Sequence, residues 1–257
     1  MVVIIPARYA STRLPGKPLA DIHGKPMVVR VAERAALSGA AAVWVACDDT
    51  RIAAALREHN TPCLLTGSHH VSGTDRIAEA IDQLALADDA IVVNVQGDEP
   101  LIDPQLIRDV AEQLLRDPRA DMATLCHPIH DASSFHNPNI VKVVMSQQQH
   151  ALYFSRAPIP CPRDGLPQSW NDAGALPIYR HIGLYAYRAG FLRRYTTLSP
   201  SPLERLESLE QLRALWHGYT IRVGISAMPA APGVDTADDL AHARQHFSLS
   251  TPSQLES

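Results

Sequence analysis

Residues 1–18 read MVVIIPARYASTRLPGKP. Val2 to Ile5 is a short, wholly apolar, β-branched run of the kind that a strand buried on both faces needs. Pro6 is expected to end that strand. Arg8, Arg13 and Lys17 follow within ten positions, in a segment that also holds Ala7, Ala10, Ser11 and Gly16, whose small side chains let a ligand approach backbone N–H groups. Pro15 and Pro18 restrict φ on either side of Gly16 and Lys17, so the loop loses less entropy on ordering. Three cations beside open backbone donors, at the carboxyl end of a first strand, suit a polyphosphate. A solvated charged loop would account for the cations as well, although it needs neither the prolines nor the small residues. Neither G-x4-G-K-[ST] nor G-x-G-x-x-G occurs in the chain, so the usual ATPase and dinucleotide readings lose their support.

Outward from this stretch, apolar strands alternate with helical periodicity as far as about residue 116. Met27 to Leu37 reads as a helix, Ala42 to Cys47 as a strand, and Asp48-Asp49 leads a helix through Glu58. Pro62 to Leu65 is a third strand, Thr74 to Leu84 a helix with Thr74 as its cap, Ile91 to Val95 a strand, and Pro104 to Leu115 a helix. This rhythm predicts a parallel sheet with right-handed crossovers. Ligands in such sheets bind where loops leave the carboxyl ends of the strands, here at 6–18, 69–76 and 96–100.

Beyond residue 120 the pattern loosens. Met122 to Leu125, Ile140 to Met145, Ala151 to Phe154, His181 to Arg188 and Ile221 to Ile225 read as strands, with a hairpin around Gln147 to His150. Residues 158–178 carry five prolines and read as a long loop, which in a compact chain is usually functional or mobile. Leu203, Leu206, Leu209, Leu212 and Leu215 predict one helix over Pro202 to Trp216, and Thr236 to His246 a last one. No repeat or linker divides the chain, so a single domain over 1–247 with a polar tail at 248–257 is expected.

The chain has 257 residues, 46% hydrophobic and 19% charged, with a net charge of −4. Such a chain can bury roughly 70–75% of its unfolded surface and needs no disulfide or metal staple. The charge balance gives no footprint for nucleic acid. Cysteines 47, 63, 126 and 161 have no metal or redox spacing, consistent with free thiols in a cytoplasmic protein. No signal peptide and no apolar run of about 18 residues appears, so no membrane association is expected.

The segment 6–27, PARYASTRLPGKPLADIHGKPM, resembles the opening signature of sugar nucleotidyltransferases, most closely the cytidylyltransferases that act on 3-deoxy-manno-octulosonate (Kdo). The resemblance implies a Rossmann-like, three-layer α/β fold whose central sheet is mixed but mostly parallel, with a smaller β-rich part for sugar binding and dimerisation. It also implies CTP and Kdo as substrates, Mg²⁺ as cofactor and a homodimer. Cys47 stands where the family usually has threonine, and 163–180 matches its pattern poorly.

Each candidate residue has a duller explanation beside the functional one. Asp98, in the Gln-Gly-Asp-Glu-Pro turn of residues 96–100, could satisfy its own turn backbone; a rim carboxylate facing cations also suits Mg²⁺. Asp235 could be a helix N-cap. Spacing does not bring Asp98 and Asp235 together; the resemblance alone makes both metal ligands. Ser72, Gly73 and Arg76 could be a helix start, and Gln96 a polar strand exit. By resemblance they join Pro6, Ala7, Arg8, Ser11, Arg13, Lys17 and Asp98 around the nucleotide, with Arg8, Arg13, Lys17 and Asp98 catalytic. His181 and Tyr185 share a strand face, and Glu210 and Gln211 lie on a helix whose default is a solvated face. The resemblance gives these four, with Arg156 and Gln96, to the sugar. A transferase for another acidic sugar, or a module that binds a nucleotide without turnover, remains the alternative.

Overall fold

The computed structural model describes residues 1–10, 14–70, 72–165, 170 and 177–249. Ser11, Arg13 and most of the 166–176 stretch lie outside them. In chain order the elements begin with β1 (Val2–Ala7), a 3₁₀ turn (Lys17–Leu19), β2 (Asp21–Ile22), β3 (Lys25–Pro26) and α1 (Met27–Ala36). Next come β4 (Ala42–Cys47), α2 (Thr50–Glu58), β5 (Cys63–Leu65), α3 (Gly73–Gln83), β6 (Ile91–Asn94) and α4 (Pro104–Arg116). Then follow β7 (Met122–Pro128), α5 (Ala132–His136), β8 (Lys142–Met145), β9 (Ala151–Ser155) and β10 (Tyr179–Arg188). The chain closes with α6 (Ala189–Tyr195), α7 (Pro202–Glu207), α8 (Gln211–Trp216), β11 (Ile221–Ile225) and α9 (Ala237–Leu249).

Two compact units are distinguished. One comprises Met1–Leu86, Asn94–Ile107 and Ala230–Ser257; the other comprises Ala87–Val93 and Arg108–Pro229. In the first, β1 pairs in parallel with β4, and β4 with β5. Val3, Ile4 and Ile5 are fully buried, as their β-branched run requires. The strand does not stop before Pro6: Pro6 pairs with Ala46 and Ala7 with Cys47. A proline near a strand end forfeits one ladder donor without preventing the pairing. A satellite core of Ile22, Met27, Val234, Leu240 and Ala243, with Leu14, Ala20, Leu101 and Phe247 packed against it, draws the residue-230 segment beside the 14–27 segment. Helix α3 is capped by Ser72 rather than Thr74, in a reciprocal capping box with Asp75.

In the second unit β11 runs parallel to β7, and β7 antiparallel to β10. Strand β8 pairs antiparallel with β10 and with β9, and the β8–β9 hairpin turns through Gln149 at φ 58. The helix expected over 202–216 is two, broken at Ser208, whose φ of 52 and ψ of 50 are left-handed. Leucines at strict three-residue spacing advance about 300° per step around an α-helix, so five of them cannot share one face. Leu206 is accordingly 82% exposed, whereas Leu209 and Leu212 are buried. No helix among the described residues is long and apolar enough to cross a membrane, and all four cysteines are free.

Candidate active site

Lys17 is the centre of the first unit's polar cluster. Gly16 at φ 67 makes the left-handed bend that starts the 3₁₀ turn, a conformation that glycine adopts without strain. The Lys17 ammonium then donates to Asp98 Oδ2 at 2.6 Å, Asp235 Oδ1 at 2.9 Å and the Val234 carbonyl at 2.9 Å. All three of its donors are engaged. Asp98 is held from the other side by its backbone, whose carbonyl accepts from Val234 N at 2.8 Å. Asp235 is not the cap of α9: Thr236 and Asp239 exchange the capping bonds one residue later. Two carboxylates from distant segments therefore converge on one cation, an arrangement that like-charge repulsion would oppose without it.

No cluster of three or more His, Cys, Asp or Glu side chains suited to a metal occurs among the described residues. Mg²⁺ does not require one, because it is commonly bound by one or two carboxylates together with phosphate oxygens and water. Asp98 and Asp235 fit that donor set, and the Lys17 ammonium between them shows that the point attracts a cation. Beside them, burial and then the Asp98 charge push the Glu99 carboxyl up to about 8, so it is largely protonated at neutral pH. At Gly97 a Cβ would come within 2.8 Å of the Pro6 carbonyl, and at Gly73 within 3.2 Å of the Pro6 ring. Both loops thus pass close to the end of β1 only because these positions are glycine.

The structure treats the other nucleotide candidates differently. Arg8 is exposed. Arg76 is 3% exposed and spends its guanidinium inside the protein, on Asp48 Oδ2 at 3.0 Å, Thr66 Oγ1 at 2.6 Å and the Gly67 carbonyl at 3.2 Å. Asp48 Oδ1 in turn accepts from Tyr9 N at 3.0 Å, and the Arg51 guanidinium lies 3.5 Å over the Tyr9 ring. Arg76 therefore braces the cationic loop through Asp48 instead of pointing at it. Gln96 is half-buried and donates to Asn94 at 3.3 Å. Sequence reasoning passed over Asp48, although its place just after a parallel strand was the available signal.

Apart from Gln96, which belongs to the first unit, the sugar candidates lie in the second unit. His181 Nε2 is 2.9 Å from Thr124 Oγ1, which also reaches the carbonyls of Ile182 and Leu184 at 2.9 and 2.8 Å. A bulge between Ile182 and Tyr185 interrupts the register with β7 at this point, and the Thr124 hydroxyl donates to one of the two carbonyls. Its lone pair then accepts from His181 Nε2–H, leaving Nδ1 as an acceptor. Enclosure pushes the imidazolium pKa down to about 3. The His181 ring stands 5.0 Å from Phe154 and 5.4 Å from Tyr185, so the expected shared face survives the bulge. Burial holds the Tyr185 phenol well above its usual range, with Glu210 among the charges adding to it.

Glu210 is exposed, and its carbonyl accepts from Tyr195 Oη at 2.8 Å. Gln211 departs from the expected solvated face: it is 6% exposed, and its Nε2 is buried with no partner among the described residues. An orphaned amide donor of this kind costs free energy unless a ligand supplies the acceptor. Glu204 and Arg213 lock α7 to α8 by a bidentate pair at 2.5 and 2.9 Å. Arg156 is tied to Glu207 by its backbone and its side chain. Neither glutamate stood out in the sequence, because a charged residue on an expected amphipathic helix looks like solvated surface.

A family model described as cytidylyltransferase matches residues 2–221 of the chain. A solved structure described as CMP:2-keto-3-deoxy-manno-octonic acid synthetase complexed with CTP is 43% identical to the chain. It aligns over 97% of this chain and 99% of its own, with a TM-score of 0.87.

Proposed function

This chain belongs to the cytidylyltransferase family, and from that premise we infer that it transfers CMP from CTP to Kdo, giving CMP-Kdo and pyrophosphate. The Lys17 ammonium among Asp98 and Asp235 carries the reaction class, since it sets a charged group at the end of the first strand among residues able to receive a metal. The acceptor follows the 43%-identical likeness, which spans nearly all of both chains.

The anomeric oxygen of Kdo forms a bond to the α-phosphorus as the bond to the β-phosphate oxygen breaks; pyrophosphate leaves with that electron pair and the hydroxyl proton is released. Arg8 and Lys17, with Arg13 by resemblance, would neutralise the triphosphate and the departing pyrophosphate. Lys17 can take a phosphate oxygen only by giving up one of its three present acceptors. Asp98 and Asp235 would hold Mg²⁺, which when bound supplies positive charge at the phosphate and makes a sugar hydroxyl more acidic. In the second unit the Gln211 amide would donate to the sugar, neutral His181 would accept, and Arg156 would meet the sugar carboxylate.

We also read the protein as a cytoplasmic homodimer. Its free thiols suit a reducing compartment, and the family resemblance supports the dimer. The deciding assay measures pyrophosphate release from each of the four nucleoside triphosphates, with and without Kdo and Mg²⁺. Release with CTP that depends on Kdo and on the metal is the expected result. Release with a different acidic sugar and not with Kdo would replace the acceptor, and no release with any would leave a nucleotide-binding module.

A further inference from the structure

Lys142 lies on the middle strand of the β10–β8–β9 ribbon and is 0% exposed. Its ammonium donates to three backbone carbonyls, those of Asn137 at 3.0 Å, Ile140 at 2.7 Å and Arg156 at 2.7 Å. A buried ammonium is costly unless each donor is satisfied, and three convergent carbonyls meet that condition. Glu207, the last residue of α7, holds the same residue from the other side. Its carboxylate accepts from Ser155 Oγ at 2.7 Å and from Arg156 N at 2.9 Å. Its carbonyl, at a helix end where intrahelical donors run out, accepts from Arg156 Nε at 2.7 Å. Arg156 Nη1 donates to the Pro138 carbonyl at 3.1 Å. Both backbone groups of Arg156 and two of its guanidinium nitrogens are thereby pinned, and among the described residues none accepts from Nη2.

An exposed arginine with a mobile side chain would need no such arrangement. A buried cation that gives one donor to the Arg156 carbonyl, and a glutamate that gives one carboxylate oxygen and its own carbonyl to the same arginine, make sense if the direction of that guanidinium matters. We propose that Lys142 and Glu207 are positioning residues for Arg156, holding its guanidinium set to receive the carboxylate of the acidic sugar. Glu207 also offsets the charge of two cations held close together, so that neither repels the other out of place. The proposal rests on the reading of Arg156 as the partner of the sugar carboxylate. A preset guanidinium takes a carboxylate without further ordering cost, so the effect belongs in sugar binding and not in the chemical step.

The test compares the full-length wild type with Glu207→Gln, Lys142→Met, Arg156→Ala and the Glu207→Gln/Arg156→Ala double variant. CTP and Kdo are each varied at saturating partner, with thermal melts alongside. Glu207→Gln keeps one acceptor oxygen and loses the charge, and is expected to raise the KM for Kdo about tenfold. The KM for CTP and kcat should stay within about twofold, and in the Arg156→Ala background the same change should add nothing. Should Lys142→Met not fold, Glu207→Gln carries the test alone. A Glu207→Gln effect that falls on both substrates alike, or persists in full without Arg156, would overturn the positioning role. If Arg156→Ala leaves the KM for Kdo unchanged in an enzyme that makes CMP-Kdo, this proposal falls and the transferase stands. If the wild type makes no CMP-Kdo, both fall.

Discussion

Lys17 Nζ lies 2.6 Å from Asp98 Oδ2 although 81 residues separate them, and this pair organises the charged end of the first unit. Removing the two partners should have different consequences. Asp98→Asn keeps an oxygen for Lys17 but loses a metal-ligand charge, so kcat should fall about 100-fold or more while CTP still binds. Lys17→Ala should instead raise the KM for CTP, by about tenfold or more, through the lost charge on the phosphates. Steady-state kinetics with CTP titrated at saturating Kdo separates them, and near-normal turnover in Asp98→Asn would remove that residue from the chemistry.

Asp48 accepts from Tyr9 N and from Arg76 and so ties the first loop to the start of α3. In Asp48→Asn one acceptor oxygen serves both donors and the ion pair is gone. A hydrogen bond to a charged group contributes about 1.5–3 kcal/mol, so the KM for CTP should rise about tenfold with the KM for Kdo unchanged. Equal changes for both substrates would mean a loss of fold and not of the loop.

His181 offers a spectroscopic check. Its imidazolium pKa is pushed down to about 3 by enclosure, whereas an unfolded histidine titrates near 6.5. Between those two values the unfolded chain binds more protons than the folded one, so this group removes stability as the pH falls from about 6.5 towards 3 and contributes nothing above that window. Nitrogen-15 NMR of the imidazole should show a neutral Nε2–H tautomer throughout pH 6–8. A protonated ring at pH 6, or an Nδ1–H form, would refute the Thr124 assignment. In urea unfolding, His181→Gln should flatten the acid side of the stability profile by up to one proton.

Glu204 is 8% exposed, completes the capping box of α7 with Ser201, and pairs with Arg213 on α8. Glu204→Ala strands the Arg213 guanidinium and opens the cap, at a cost of about 3–5 kcal/mol for the broken partly buried pair. Urea denaturation measures it. The double change Glu204→Ala/Arg213→Met should cost less than the sum of the single ones, because no unpaired charge is left behind.

Much of the fold was legible because its signals are local. Val2 to Ile5, Ala42 to Cys47 and Ile221 to Ile225 are apolar runs that strand geometry explains residue by residue. Met27 to Leu37 carries its period in plain view. The helix over 202–216 misled because leucine spacing records hydrophobicity and not the backbone angle of Ser208. The resemblance places Arg76 at the nucleotide, whereas the partners its guanidinium engages in the fold, Asp48 and Thr66, come from segments that spacing does not connect to it.

The linear chain by itself determined the strand–helix rhythm, the cationic loop after the first strand and the family resemblance, since each depends on residues close together in sequence. Only the tertiary structure decided that Asp98 and Asp235 meet at Lys17, 81 and 218 positions away, and that Gln211 is buried with no partner for its Nε2 among the described residues. Those facts depend on the packing of Val234 and Leu240 against Ile22 and Met27 and on the break between α7 and α8. Contacts between distant segments arise from burial and chain reversal, which no spacing along the sequence encodes.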